Sequence, residues 1–230
     1  MGIMTRDLYG GTGPGPITPD GCAVDYYATL APMGEPELVH GAVPEGASIL
    51  ELGAGAGRIT HGLLALGHEV VAVDESPEML ARVRGAETVR SPIQDLALGR
   101  TFDVVLLMSY VVDTADDELC RAFLRTCRRH VSPDGCVILQ HKPAEWHDAI
   151  GPFERDHGDG RITRMTEARR PEPDLLAATM EYVVGDRRWT HYFLSRRRDD
   201  EVFAGLLAGA GLAPAGHLGG DREWIRALPI

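Results

Sequence analysis

Four cysteines in 230 residues, Cys22, Cys120, Cys127 and Cys136, stand without any C-x-x-C spacing. That argues against both a zinc site and a disulfide framework, and reduced thiols in a cytoplasm fit best. Positive charge is also scarce. Lysine and arginine total 23 against 34 acidic residues, a formal net charge of −11, so a phosphate backbone would meet repulsion in place of the counterion release that drives nucleic-acid binding. The arginines of "RRP" (Arg169, Arg170) and "SRRRDD" (Arg196 to Arg198) are local exceptions that read as solvated surface, the second run being followed at once by two aspartates. No stretch reaches the ~18–20 apolar residues needed to span a bilayer, and the amino terminus lacks a signal peptide's charged-then-apolar layout. A soluble, cytoplasmic chain with no nucleic-acid or membrane partner is the expectation. No coiled-coil heptad or internal repeat is present, and nothing in the sequence sets an oligomeric state.

What is present is a globular composition, 44% hydrophobic and 25% charged, with sharp punctuation by glycine and proline. "YGGTGPGPITPDG" (Tyr9 to Gly21) is too rich in both for a helix or a central strand and is expected to be a loop or lid. "CAVDYYATLA" and "EPELVHGAV" follow as short helices. Then "SILEL" (Ser48 to Leu52), "EVVAVD" (Glu69 to Asp74), "AETVRS", "FDVVLLMS" (Phe102 to Ser109) and "CVILQH" (Cys136 to His141) read as five strands. Helical segments separate them, "SPEMLARVR" starting with Ser76 as N-cap and Pro77 at the first helical position. Continuous apolar strands alternating with helices indicate a parallel sheet covered on both faces, a doubly wound α/β core.

After His141 the rhythm changes. "TMEYVVGDRRWTHYFLS" reads as two strands joined at Gly185–Asp186, and "RITRMTEA" as a third beside them. "DDEVFAGLLAGAG" returns to helix, capped by Asp199 or Asp200, and "APAGHL" with "EWIRAL" completes a seven-stranded sheet as a terminal hairpin. The expected layout is one domain. Residues 1–45 form a lid and helices, 46–141 a ligand-binding core, 142–198 an antiparallel β insertion after the fifth strand, and 199–230 the closing helix and hairpin.

The densest signal is "LELGAGAGRITHGL" (residues 50–63), with glycines at 53, 55 and 57 directly after the first core strand. Each glycine costs roughly 0.5–1 kcal/mol in regular structure relative to alanine, so three together call for a close backbone approach or a sharp turn. Ligands of open parallel sheets bind beyond the carboxyl ends of the strands, where this turn sits. A dinucleotide fingerprint requires G-x-G-x-x-G, and Arg58 occupies the place of the third glycine. The G-K-[ST] of a Walker loop is absent. Asp74, at the end of the next core strand, has a carboxylate suited to accept from two vicinal hydroxyls; stabilising the following helix dipole is its simpler role.

Glu51-x-Gly53-x-Gly55-x-Gly57, together with Asp74, "SPEML" and "FDVV", resembles motif I and its surroundings in the class I S-adenosylmethionine-dependent methyltransferases. The resemblance covers about residues 46–141, with a weaker echo in the last helix and hairpin, and implies a Rossmann-like fold. It implies that Gly53, Ala54, Gly55 and Gly57 lie against the cofactor's methionine and ribose. Asp74 would hold the ribose hydroxyls, with Glu75 and Met79 beside it. Glu51 would support the loop through backbone N–H groups or touch the cofactor, a solvated strand-end acid being the alternative. Pro92 stands where many relatives carry an adenine-reading acid, which leaves Ile93, Gln94 or Asp95 for that contact.

Ser109, Tyr110 and Asp113 follow the fourth strand, where the family places residues between cofactor and acceptor; Ser109 is assigned to the cofactor and the other two to catalysis. His141, ending the fifth strand, is the candidate general base, since an unperturbed histidine titrates at about 6.5; a structural role is the commoner one for a lone histidine and is the alternative. Trp146 and His147 would wall the acceptor pocket. Trp189, His191 and Phe193 alternate along one strand and share a face, on which Trp189 and His191 would bind the substrate together with Tyr110 and His141; core packing is the alternative and is preferred for Phe193. Tyr26 and Tyr27 would close over an acceptor of mixed polarity, ordinary packing being the alternative. The implied activity is methyl transfer from S-adenosylmethionine to an N, O or C nucleophile of a small molecule, as in natural-product tailoring, leaving S-adenosylhomocysteine. A non-methylating enzyme on the same cofactor, such as a cyclase, and a non-catalytic binding protein are the alternatives. No metal is expected.

Overall fold

The computed structural model describes residues 9–230, so the amino-terminal reading and the first eight positions of the expected lid lie outside the described residues. The chain runs through β1 (Tyr9–Thr12), α1 (Val24–Tyr27), α2 (Glu35–Ala42), β2 (Ser48–Leu52), α3 (Arg58–Ala65), β3 (Glu69–Asp74), α4 (Pro77–Leu80) and β4 (Glu87–Arg90). It continues through β5 (Phe102–Leu107), α5 (Asp117–His130), β6 (Val131–Gln140), α6 (Ala144–Ala149) and β7 (Phe153–Asp156). Last come β8 (Arg161–Glu172), β9 (Leu175–Val184), β10 (Arg187–Arg196), α7 (Asp200–Gly209), β11 (Leu212–Leu218) and β12 (Trp224–Pro229).

The larger sheet has seven strands in the order β11-β12-β6-β5-β2-β3-β4. Strands β2 to β6 are mutually parallel and the terminal hairpin is antiparallel. Its order reverses at β2, which has β3 on one side and β5 on the other, creating a topological switch point at their carboxyl ends. Both faces are apolar, as continuous hydrophobic strands require. Leu50, Leu52, Val105 and Leu107 pack under Phe123, Leu124, Phe203 and Leu207 of α5 and α7. Ile49, Val104, Leu106 and Ile138 point the other way, to Val39, Ile59 and Leu63 of α2 and α3. Ser76 caps α4 by accepting from the Met79 N–H, and Asp199 caps α7 by accepting from Val202.

The insertion forms a second, antiparallel sheet in the order β1-β10-β9-β8-β7. Arg187 pairs with Val184 around the Gly185–Asp186 turn, in the register expected. Two strands of this sheet differ from expectation. Tyr9–Thr12, read as loop, is an edge strand paired with Thr190–Phe193 of β10, where glycine admits a close backbone approach, a Cβ at Gly11 standing 2.0 Å from Gly21 O. Strand β7, exposed along its whole length, carries no hydrophobic alternation by which to see it.

Candidate active site

The glycine turn leaves β2 with three left-handed residues, Gly53 (φ 73°), Gly55 (φ 56°) and Gly57 (φ 86°), a conformation L side chains rarely adopt. Their surroundings differ. A Cβ at Gly57 would stand 2.8 Å from His61 Cε1 and 3.2 Å from Val83, so this glycine permits close packing at the start of α3. Gly53 and Gly55 face open space bounded by Ile93 (3.7 Å), Val111 (4.0 Å) and Met79 Sδ (3.9 Å). The structure thus brings Met79 and Ile93 to the walls of a slot floored by glycine. Ala54, buried, fastens the turn to β3 by donating from its N–H to Val73 O at 2.9 Å.

Asp74 grips the lip of the slot. Its Oδ2 accepts from Gly55 N (2.8 Å) and its Oδ1 from Ser76 N (2.9 Å). Each carboxylate oxygen keeps a further acceptor site. Burial pushes the Asp74 pKa up, the two backbone N–H groups pull it back, and the nearby charge of Asp20 raises it again. Burial and the charges of Asp20 and Asp74 also raise Glu75. Asp20, on the amino-terminal segment, therefore lies near these two acids, a placement its position in the sequence does not signal. An Arg82–Asp25 ion pair of 2.8 Å ties that segment to the core.

Glu51 departs from two of the roles expected of it, the support of backbone N–H groups and the solvated strand end. It is 2% exposed and accepts from Thr60 Oγ1 at 2.5 Å, so it holds α3 by a side chain; it neither collects backbone N–H groups nor reaches solvent. Burial pushes its pKa up to about 7, against the opposing pull of Thr60 and Arg58. Gln94 is half-buried and Asp95 exposed in a 3-10 turn over Ile93–Asp95.

Beyond β5, Ser109 (φ 57°) and Tyr110 (φ 59°) are both left-handed. Strained non-glycine backbone of this kind persists where surrounding contacts hold it. Ser109 N donates to Gln140 Oε1 at 2.7 Å, and the Tyr110 hydroxyl donates to Glu223 Oε2. Burial and the Glu223 hydrogen bond both raise the Tyr110 pKa. Glu223 Oε1 also accepts from Lys142 Nζ at 2.7 Å, and that ammonium lies 3.8 Å from the Tyr110 ring centroid and 4.9 Å from that of Trp146. Tyr110 and Trp146, both assigned to the acceptor side, thus flank one ammonium. Lys142 and Glu223, which join them, were missed; the signal for Lys142 was its place between His141 and Trp146, and for Glu223, far along the chain, there was none.

His141 is 2% exposed, its ring stacked on Phe203 at 4.1 Å, with Nδ1 bonded to Asp113 and Nε2 enclosed without a partner among the described residues. The general-base role expected of it is not open to a ring so enclosed. Asp113, buried, uses its second oxygen to accept from Lys142 N at 2.8 Å. The pair locks the end of β5 to the end of β6. His147 is likewise buried, bonded through Nε2 to Ser195 at 3.0 Å.

The aromatic residues of the insertion form a separate core. Trp189 has no exposed surface and donates from Nε1 to Pro14 O at 2.7 Å; Tyr26, 4% exposed, stacks on Tyr182 at 4.2 Å. Neither side chain lines an open acceptor pocket in this arrangement, because each fills the interior between the second sheet and α1. Tyr27 is half-buried, edge-on to Tyr26. His191 is held by Asp20 O at 3.1 Å, with Phe193 beside it.

A seven-stranded, mainly parallel sheet with a glycine turn and a strand-end carboxylate at its switch point has the Rossmann-like fold of class I S-adenosylmethionine-dependent methyltransferases. Comparison with known proteins agrees: residues 49–135 match the family model described as a methyltransferase domain. That match runs from β2 to the start of β6, so it is the core of this chain that is similar to a methyltransferase domain. The chain is 34% identical over 125 residues to a cypemycin N-terminal methyltransferase of a Streptomyces species, covering 51% of this chain and 48% of that protein. It is 33% identical over 105 residues to a ubiquinone biosynthesis O-methyltransferase of Xanthomonas oryzae pv. oryzae, covering 41% and 42%. The match therefore spans about half the length of these curated relatives or less. Among solved structures, a sugar N-methyltransferase from a Streptoalloteichus species superposes with a TM-score of 0.71 at 19% identity, over 94% of this chain and 97% of that one.

Proposed function

We propose that this chain is an enzyme that transfers a methyl group from S-adenosylmethionine to a nucleophile of a small molecule. The observation that carries the reading is the slot at the switch point. Its floor is left-handed glycine, its walls are Ile93, Val111 and Met79, and at its lip Asp74 is oriented by two backbone N–H groups yet able to accept more. These features fit an adenosyl group: glycine admits close backbone approach, and the carboxylate suits two vicinal hydroxyls. When bound, the cofactor supplies an electrophilic methyl on a positively charged sulfur. The chain's own task is then to align the acceptor and exclude water, and good alignment alone is worth up to roughly 7–11 kcal/mol. Asp113 and His141 act as positioning residues, since they fix the strand ends that carry Tyr110 and Lys142. Net charge of −11 favours a small-molecule acceptor over nucleic acid, and four free cysteines suit a reducing cytoplasm.

Calorimetric titration tests the cofactor assignment. S-adenosylmethionine and S-adenosylhomocysteine should both bind the unaltered chain, and Asp74→Ala should weaken both at least tenfold. Undiminished binding in that variant removes the ribose role. Incubating host extract with isotopically labelled cofactor should then show a compound gaining the labelled methyl.

A further inference from the structure

Lys142 is the only lysine in the chain; the other 22 of its 23 basic residues are arginine. Its head group sits in a box of three walls: the Tyr110 ring, the Trp146 ring and the Glu223 carboxylate. Two aromatic faces and a carboxylate are the surroundings that recognise an organic cation. Two of the three walls are held by contacts other than the lysine. Left-handed backbone at Ser109 and Tyr110 aims one ring, and the Tyr110 hydroxyl fixes Glu223. Glu223 is also anchored from behind, its carbonyl accepting from His141 N at 2.9 Å. Lys142 is pinned at its backbone by Asp113 while its ammonium reaches the box along a flexible stem. Its side chain is 14% exposed, and that of Glu223 19%, so the box is not sealed from solvent.

The charges around the box select the sign of its ligand. Asp221 and Asp113 lie close enough to Tyr110 to act on its hydroxyl alongside Glu223. The arginine at this edge, Arg222, is engaged by Asp200 and Glu145. Tyr110 adjoins Val111, which walls the glycine slot, so box and slot share the carboxyl edge of the sheet.

We propose that the Tyr110–Trp146–Glu223 box is the recognition site for an organic ammonium group of the acceptor, and that Lys142 occupies it as an internal substitute until the ligand displaces it. This rests on the methyl-transfer reading only for the word acceptor and names its class, a small molecule bearing an amine. The box holds the charge whichever atom receives the methyl.

The probe is tetramethylammonium chloride, with sodium chloride at equal ionic strength as control. In the unaltered chain, displacement from the box should speed acetylation of Lys142, read by peptide mass, at least threefold, whereas neutral tert-butanol should leave it unchanged. Lys142→Met and Lys142→Gln should bind the probe at least tenfold more tightly than the unaltered chain, read by fluorescence quenching. Adding Trp146→Ala or Glu223→Gln to either should abolish the gain. Unchanged acetylation together with unchanged affinity in the lysine variants overturns the proposal. Titration with S-adenosylmethionine separates the two readings. A chain that binds the cofactor but not the probe loses the box alone, and one that binds the probe but not the cofactor loses methyl transfer and keeps the box.

Discussion

Glu51 is where a single buried proton controls stability. A glutamate titrates at 4.5 when exposed and at about 7 in this fold, burial being the main cause. Between those values the native chain holds a proton that the unfolded chain has released. Stability therefore falls as pH rises from about 4.5 to 7 and levels off above that window. Glu51→Gln keeps the shape and cannot ionise. It should melt close to the unaltered chain at pH 5 and be more stable at pH 8, by on the order of 1–3 kcal/mol, as measured by calorimetry at the two pH values. Asp113 gives the opposite lesson. Asp113→Ala leaves the Lys142 N–H and the His141 Nδ1 without their acceptor in a buried place, and denaturant unfolding should show a loss of about 3 kcal/mol. Sequence spacing put both acids at strand ends. It could not show that Thr60 partners one and His141 the other, because those partners arrive from other elements.

At the scale of elements, the three glycines of the turn separate by role. Gly57→Ala places a methyl against His61, which is itself fixed by accepting from Arg84 N at 3.0 Å, and against Val83. Left-handed strain plus overpacking should cost about 2–4 kcal/mol and lower the melting temperature. Gly53→Ala meets nothing closer than 3.7 Å, so it should lose only about 1–2 kcal/mol from strain while weakening cofactor binding at least tenfold, because its methyl enters the slot. Comparing melting temperature with affinity for the pair checks the distinction. This element was legible because its cause is local: apolar strand, glycine turn and amphipathic helix are each written in consecutive residues. Ser76 and Asp199 announced their helices for the same reason. Strand β1 was not legible, since a Gly-Gly edge strand is specified by β10, far along the chain. Nor were Trp189 and Tyr26 readable as core. Their aromatic character suits a pocket wall as well as an interior, and only the packing of the second sheet against α1 decides between them.

For the molecule as a whole, the decisive joint is between the two sheets. Arg198, directly after β10 and 3% exposed, donates to Val112 O (3.3 Å), Thr114 O (2.9 Å) and Asp117 Oδ1 (2.7 Å). An isolated bridge between Thr114 and Ser195 lies beside it. The buried Arg198 guanidinium thus makes most of the polar contacts that clamp the end of the insertion to the turn that follows Tyr110 and Asp113. The run "SRRRDD" read as solvated surface, and that reading holds only for Arg197, which pairs outward with Asp148, since Arg196 also reaches this turn by donating to Ala115 O at 3.1 Å. Arg198→Ala would leave two buried carbonyls unpaired and should cost about 2–4 kcal/mol. Arg198→Lys should recover only part of that, because an ammonium cannot reproduce the planar fork that reaches two carbonyls and a carboxylate together. Since Trp189 reports on the second sheet, near-ultraviolet circular dichroism should lose its aromatic signal in Arg198→Ala at a lower denaturant concentration than the far-ultraviolet backbone signal. Coincident loss of both signals at the midpoint of the unaltered chain would show that the sheets are held together by their apolar contact without this clamp.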